Sequence, residues 1–298
     1  KNEGEKMEIF LAQFVNGLSL GSIYVLLVTG FNLMLLVARI IQFAYPQFVV
    51  LAMYASWIVL EKTGNVFYAV LAALVASILL NLLSEPIFRR INNIEKVDIN
   101  ASFVASMGLS MIIVEIMSHS INNGFPVSFP EFWSGGNVFS FGYINLGRGE
   151  FFALFGGIIL VSIFFYLLYH THFGRVFRAI AEDRKTAKTV GLAVFKSSII
   201  SYLIAGILGG IIAVLFSMLL GSASPWLGES VALKVLAVSI TAGLGNLKGG
   251  LYVGLGLGVL ESLAIGYLAG SWANVIAFIL MLFVVLIKPQ GLFGTAVE

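Results

Sequence analysis

FFALFGGIILVSIFFYLLYHTHFGRVFRAIAEDRKTAKTVGL, residues 151–192, changes character at its midpoint. From Phe151 to His170 it holds no Asp, Glu, Lys or Arg. From Gly174 to Leu192 it holds seven charged residues: Arg175, Arg178, Glu182, Asp183, Arg184, Lys185 and Lys188. An α-helix needs roughly 20 apolar residues to cross the hydrocarbon core of a bilayer, and the first half supplies that length. It lacks the period-2 alternation of a barrel strand. The stretch reads as a membrane helix that ends in a compact polar segment.

The rest of the chain repeats the first half of that pattern. Its 298 residues are 59% hydrophobic and 11% charged, with a mean hydropathy of +0.99, against about 25% charged residues in a soluble domain. So few charges cannot cover a water-facing surface, and the outer solvent is lipid. The expected fold is all-α, a polytopic transmembrane bundle in one domain over residues 7–298. Candidate spans lie at 9–37, 40–60, 66–86, 101–120, 151–170, 197–220, 231–245, 251–268 and 272–287. That gives eight or nine crossings, some broken or re-entrant. The first is long enough to tilt or break near Gly17 and Gly21. The opening KNEGEK is polar, precedes Met7 and reads as an appended remnant outside the domain.

Charge placement suggests an orientation. Arg39, the 87–100 loop, the 171–196 loop, Lys248 and Lys288 together hold 12 of the 17 basic residues. Lys62 and Arg148 fall on the other side, beside Glu61, Glu131, Glu150 and Glu229. Lys1, Lys6 and Lys234 belong to neither group. Basic residues collect on the cytoplasmic side, so the polar segment and the C-terminus are expected there, with the N-terminus outside if there are nine crossings. The long external loop, 121–150, is rich in Gly, Pro, Asn and aromatics. It suits a lid, a partner contact or interfacial packing, the last favoured by its aromatics.

Several chemistries are excluded. The net charge of +2 does not suggest a nucleic-acid partner, and the absence of cysteine removes disulfide and thiol chemistry. No GxxxxGK[ST] loop occurs, so ATP is not expected on this chain in that manner, and no HExxH metal motif is present. His170 and His172 could bind a metal, but an interfacial polar pair is the favoured reading, as it is for His119. Gly17-Leu18-Ser19-Leu20-Gly21 matches G-x-S-x-G, yet that motif needs a strained strand-to-helix turn and here lies in a helical run. Gly17/Gly21, Gly206/Gly210, Gly250/Gly254/Gly258 and Gly266/Gly270 read instead as small-xxx-small packing. Charge inside a membrane is costly and marks a pathway by default. Glu115 lies near its span's outer end and can snorkel. Lys234 and Glu261 are either pathway groups or a structural ion pair. Ser19, Ser22, Asn32, Gln42, Gln47 and Asn246 are neutral polar groups that could line a route.

Gly174 and Gly191 bracket good helix formers, which predicts a short helix on which Arg178 and Glu182 pair at i,i+4. Val176, Phe177, Ile180, Ala187 and Val190 give it a partial apolar stripe. Physically it is either a connecting loop or a helix seated in a cleft of another protein.

The segment G-R-x-x-R-A-I-A-E-D with A-x-x-x-G-L at 187–192 resembles the cytoplasmic coupling segment of ABC importer permeases, in the LivH-type branched-chain amino acid family. N-G-L-S-L-G-S-I-Y (16–24), G-L-G-N-L-K-G-G (243–250) and K-P-Q-G-L-F-G (288–294) are similar to that family's first span, penultimate region and ending. The family's I-N-F-A-H-G-like stretch reads Ile41-Gln42-Phe43-Ala44-Tyr45-Pro46-Gln47 here. Proline at 46 breaks a helix, so the second span is expected to begin or kink there. An amide, urea or organic acid stands beside an amino acid as substrate.

The resemblance implies a translocation subunit in the cytoplasmic membrane of a prokaryote, not itself an enzyme. It implies a second, LivM-like permease subunit, two cytoplasmic ATPases that bind the ATP, and an external substrate-binding protein. It assigns ATPase coupling to Gly174, Arg175, Arg178, Ala179, Glu182, Asp183, Lys188 and Gly191. Candidate pathway residues are Gln42, Tyr45, Gln47, Lys234, Asn246 and Glu261. An ion-coupled transporter or channel is the alternative, with Glu115, Lys234 and Glu261 as coupling groups.

Overall fold

The computed structural model describes residues 2–92, 99–141, 144–268, 272–288 and 290–294. Lys1, Lys96, Gly270 and Pro289, used in the readings above, lie outside the described residues, as do positions 142–143 of the external loop. The helices are α1 (Asn2–Ala38), α2 (Tyr45–Thr63), α3 (Val66–Asn92), α4 (Ile99–Ser120), α5 (Glu131–Ser134), α6 (Arg148–His170), α7 (His172–Glu182), α8 (Arg184–Thr189), α9 (Val194–Leu220), α10 (Leu227–Ala242), α11 (Leu247–Tyr267) and α12 (Trp272–Ile287). Short strands β1 (Val127–Ser128), β2 (Asn137–Phe141), β3 (Ile144–Gly147) and β4 (Ser222–Ala223) form two ribbons, β1 with β4 and β2 with β3.

Among the described residues, six helices are long and apolar enough to cross a membrane: α1 from Ile9, α3, α4, α6, α9 and α11. The expected eight or nine would need two or all three of α2, α10 and α12 as well. α2 is diluted by Tyr45-Pro46-Gln47 at its start and Glu61-Lys62-Thr63 at its end, while α10 and α12 have 16 residues each.

α1 is the central post. It packs along α11, α9 and α6, and α3 packs along α9 and α2. Of the tilt or break open to the first span near Gly17 and Gly21, the break does not occur: α1 runs unbroken from Asn2, through the polar residues set aside above. Those glycines serve close approach. A Cβ on Gly258 of α11 would collide with the Gly21 backbone, and one on Gly17 would lie 2.6 Å from the Val259 Cα. Gly210 of α9 meets the Leu74 Cα of α3 in the same way, at 2.6 Å. Small residues let backbones come close where lipid offers no hydrophobic drive between helices.

Pro46 sits in the first turn of α2, where its missing N–H is no loss. Before it, residues 39–44 are non-helical, and Arg39 turns the chain with φ 55°. The segment re-enters the bundle: the Tyr45 hydroxyl donates to the Ala205 carbonyl of α9 at 3.1 Å. Irregular backbone is tolerated at such depth only when its polar groups are met by protein. Ser106 of α4 does this, accepting from Phe43 N at 2.9 Å and donating to Ile41 O at 3.0 Å.

At one end the external loop packs rather than projects. Val127, Phe129 and Trp133 are buried, Trp133 stacks on Phe129, and its indole N–H donates to Ser217 Oγ at 3.0 Å.

Candidate functional site: a charged elbow and a polar interior

The segment 172–189 is an elbow of two helices, not one. Asp183 ends α7 and caps α8: its Oδ1 accepts from Lys185 N at 2.8 Å and Thr186 N at 3.2 Å, and its Oδ2 accepts from the Thr186 hydroxyl at 2.5 Å. A short carboxylate competes with helix continuation by satisfying the next helix's free N–H groups. The Thr186 hydroxyl, then the two amides, hold the Asp183 carboxyl below the usual aspartate range. Beside it, Arg184 is shifted down by desolvation and by the neighbouring Arg39 charge.

Arg178 does not pair with Glu182. Its guanidinium donates to the Leu168 carbonyl and lies 5.2 Å from the Tyr169 ring centroid. Leu168 sits in the last turn of α6, where carbonyls lack intrahelical partners and the helix end favours cations. Gly174 makes this docking possible, since a Cβ there would strike the Leu168 carbonyl. With Phe177 and Ile180 buried on the same face, α7 is fixed to the bundle. Ala187 is buried below α8, whereas Val190 is 70% exposed, so the expected apolar stripe is only partly used. Arg175, Ala179 and Glu182, spaced i, i+4, i+7, form the stripe turned outward, followed by exposed Lys185 and Lys188. Gly191 turns the chain out of the elbow with φ 83°.

The basic groups that the charge pattern placed on one side do meet. Tyr169 carries Arg178 near its ring and Lys248 at 4.8 Å. Arg184 donates to the Ala38 carbonyl at 3.2 Å, beside Arg39. Two distant motifs also join. Leu292 N donates to Thr241 O at 2.7 Å, the Asn246 amide donates to Phe293 O at 2.6 Å, and Phe293 stacks on Tyr252. Asn246 also caps α11 through Gly249 N. It clamps the 243–250 turn.

In the interior Lys234 and Glu261 come together. They form a buried pair, Nζ to Oε1 2.5 Å, joined by Tyr24, whose hydroxyl donates to Glu261 Oε2 at 2.8 Å and accepts from Lys234 at 3.2 Å. The triad ties α1, α10 and α11 together. Ser19 and Ser22 donate to Glu150 O and Ala153 O of α6, at 3.1 and 2.6 Å, and Ser239 donates to Asn32 at 2.6 Å. These groups fasten helices. Glu115 pairs with His119 at 3.4 Å on the exposed surface, and His170 stacks on Tyr166.

Gln47 donates to Pro225 O at 3.1 Å and packs on Gly228, away from the polar patch around Gln42 and Tyr45. Gln42 donates to Ser84 at 3.3 Å. That patch was missed in sequence: Ser77, Asn81, Ser84 and Glu85 of α3, at i, i+4, i+7, i+8, face α2 and α9, with Tyr202 opposite. Their four-residue rhythm was the available signal. Gln42 Oε1, Ser77 Oγ, Asn81 Oδ1 and the Tyr202 hydroxyl are buried with no hydrogen-bond partner.

A helical bundle with polar groups turned in, apolar side chains turned out and a charged elbow at one rim defines an integral membrane protein of the transport-permease class. The profile of the family described as branched-chain amino acid transport system / permease component matches residues 13–285, and the chain belongs to that family. It is 25% identical over 305 residues to the high-affinity branched-chain amino acid transport system permease protein LivH of Escherichia coli, covering 97% of each chain. It is likewise 25% identical over 304 residues to the permease protein BraD of Pseudomonas aeruginosa, covering 96% of each.

Proposed function

We propose that this chain is the translocation subunit of an ATP-driven importer in the cytoplasmic membrane of a prokaryote, carrying branched-chain or other hydrophobic amino acids. In this reading it pairs with a second permease subunit. Two ATPases grip the elbow, and an external binding protein delivers the solute. The carrying observation is the division of labour in α7: Gly174, Phe177 and Ile180 clamp it to the bundle, while Arg175, Ala179 and Glu182 are left for a partner. ATP binding shifts an access equilibrium only through contacts that differ between its two states, and this rim is where they would be transmitted. The basic rim is then cytoplasmic.

Glu182→Arg is the clean test, because Asp183 is occupied as a cap. The variant is expected to fold normally, to co-purify poorly with the ATPase and to lose solute-stimulated ATP turnover. Normal assembly and unchanged turnover, or uptake that continues without any ATPase, would overturn the reading.

A further inference from the structure

A cavity of about 430 Å³ opens at the basic rim, where α8 meets α3 and α9. Its wall includes Ile40, Glu85, Arg89, Arg184, Lys188 and Phe195. Three cations face one carboxylate. Glu85 is buried, its Oε1 3.9 Å from Arg89 Nε and without a hydrogen bond, and Arg89 also stacks over Phe195 at 4.5 Å. Among the described residues Arg184 and Lys188 have no carboxylate within 4.0 Å. Arg184 is half-buried, and its shown hydrogen bond spends one N–H on the Ala38 carbonyl. Two positive charges, the half-buried Arg184 and the exposed Lys188, are left without a carboxylate partner around an open-mouthed cavity.

The surroundings specify the ligand further. The cavity lies at the ends of α1 and α3 and at the start of α9, where the helices leave the apolar layer. Phe195 of its wall is exposed, and Leu83 and Ile87, one turn apart on α3 and flanking Glu85 in sequence, are exposed apolar residues as well. A basic pocket between membrane helices at headgroup level suits a phosphate with hydrocarbon attached. The guanidinium fork matches phosphate oxygens and stays charged despite partial burial.

We propose that this cavity is a headgroup site for an anionic phospholipid, its phosphate held by Arg184 and Lys188 and its acyl chains laid along Leu83, Ile87 and Phe195. A bound lipid would clamp α8, the second arm of the elbow, to α3 and α9.

The test uses the purified full chain, so it does not depend on the transport reading. Native mass spectrometry and thermal melting are followed with phosphatidylglycerol, with phosphatidylcholine of the same acyl chains, and with inorganic phosphate. One phosphatidylglycerol is expected to stay bound per chain and to raise the melting temperature, while phosphatidylcholine does neither. The double variant Arg184→Gln/Lys188→Gln should retain phosphatidylglycerol roughly tenfold less or worse, and Lys62→Gln, on the opposite side, should retain it as wild type does. Raising salt on the wild-type chain should reproduce the loss without any substitution. Equal retention of both lipids, or undiminished retention in the double variant or at high salt, overturns the proposal. Inorganic phosphate displacing the lipid at equal concentration overturns the acyl contribution.

Discussion

α3 and α7 are both two-faced helices, with opposite polarity. α3 turns Ser77, Asn81, Ser84 and Glu85 inward and exposes Leu71, Val75, Leu79, Leu83 and Ile87 at four-residue intervals. α7 turns Gly174, Phe177 and Ile180 inward and exposes Arg175, Ala179 and Glu182. One packing rule, a stripe buried against the neighbours, yields inverse patterns because the surrounding medium differs. For α3 lipid accepts leucine and the polar atoms have nowhere better to go than the interior. For α7 water accepts the charges and the apolar face drives docking.

The severest test concerns what an inward polar group requires. Glu261→Leu strands the Lys234 ammonium and is expected to cost about 3–5 kcal/mol, read as the denaturation of the purified chain. Lys234→Met with Glu261→Leu should recover most of that, and an equal loss in both variants would show that the triad is not held by charge pairing. Next comes the outward face of α3. Leu79→Lys places a cation in the lipid layer at about 2.5–3.5 kcal/mol, seen as lost membrane-inserted yield. Val190→Lys beside the elbow should leave yield unchanged, and if the two behave alike the contrast fails. A smaller effect is expected from Ile180→Val, about 0.5–1.5 kcal/mol, read as faster hydrogen exchange in α7 but not in α3. The smallest concerns pH. The Asp183 carboxyl is lowered in the folded elbow, so its cap is fully present above the ordinary aspartate value of about 3.8 and is lost as pH falls through the depressed one. Protection of the Lys185 and Thr186 amides, relative to the intrinsic exchange rate at each pH, should be flat from pH 8 to about 5 and fall below about 4; a change near pH 6 would assign the titration to another group.

Much of the fold was legible because membrane helices announce themselves by length and apolarity. The start of α2 at Pro46, the close-packing role of Gly17, Gly21 and Gly258 and the shared rim of Arg39, Arg178, Arg184 and Lys248 were readable from local rules, though not which helices those glycines would join. What escaped depended on partners far apart in sequence. Lys234 and Glu261 could be flagged singly, but their pairing needs three helices brought together around Tyr24. Arg178 was assigned to Glu182 because i,i+4 spacing is visible along a chain and the end of a neighbouring helix is not. The break at Asp183 did leave a trace, an aspartate three residues before Thr186 within a helical pattern. β1 left almost none, since Val127 pairs with Ala223, 96 positions later, and Ser128 with Ser222, 94 positions later.

The junction of the 243–250 turn with residues 291–294 sets an order of events during synthesis. Gly291 would collide with the Gly243 backbone if it carried a Cβ, so the later strand of chain closes directly over the earlier turn. The ribosome must add about 40 residues after that turn before its cover exists, a wait of roughly 2–8 s at about 5–20 residues per second. In that interval α11 is still being made, and the turn after α10 waits without its cover.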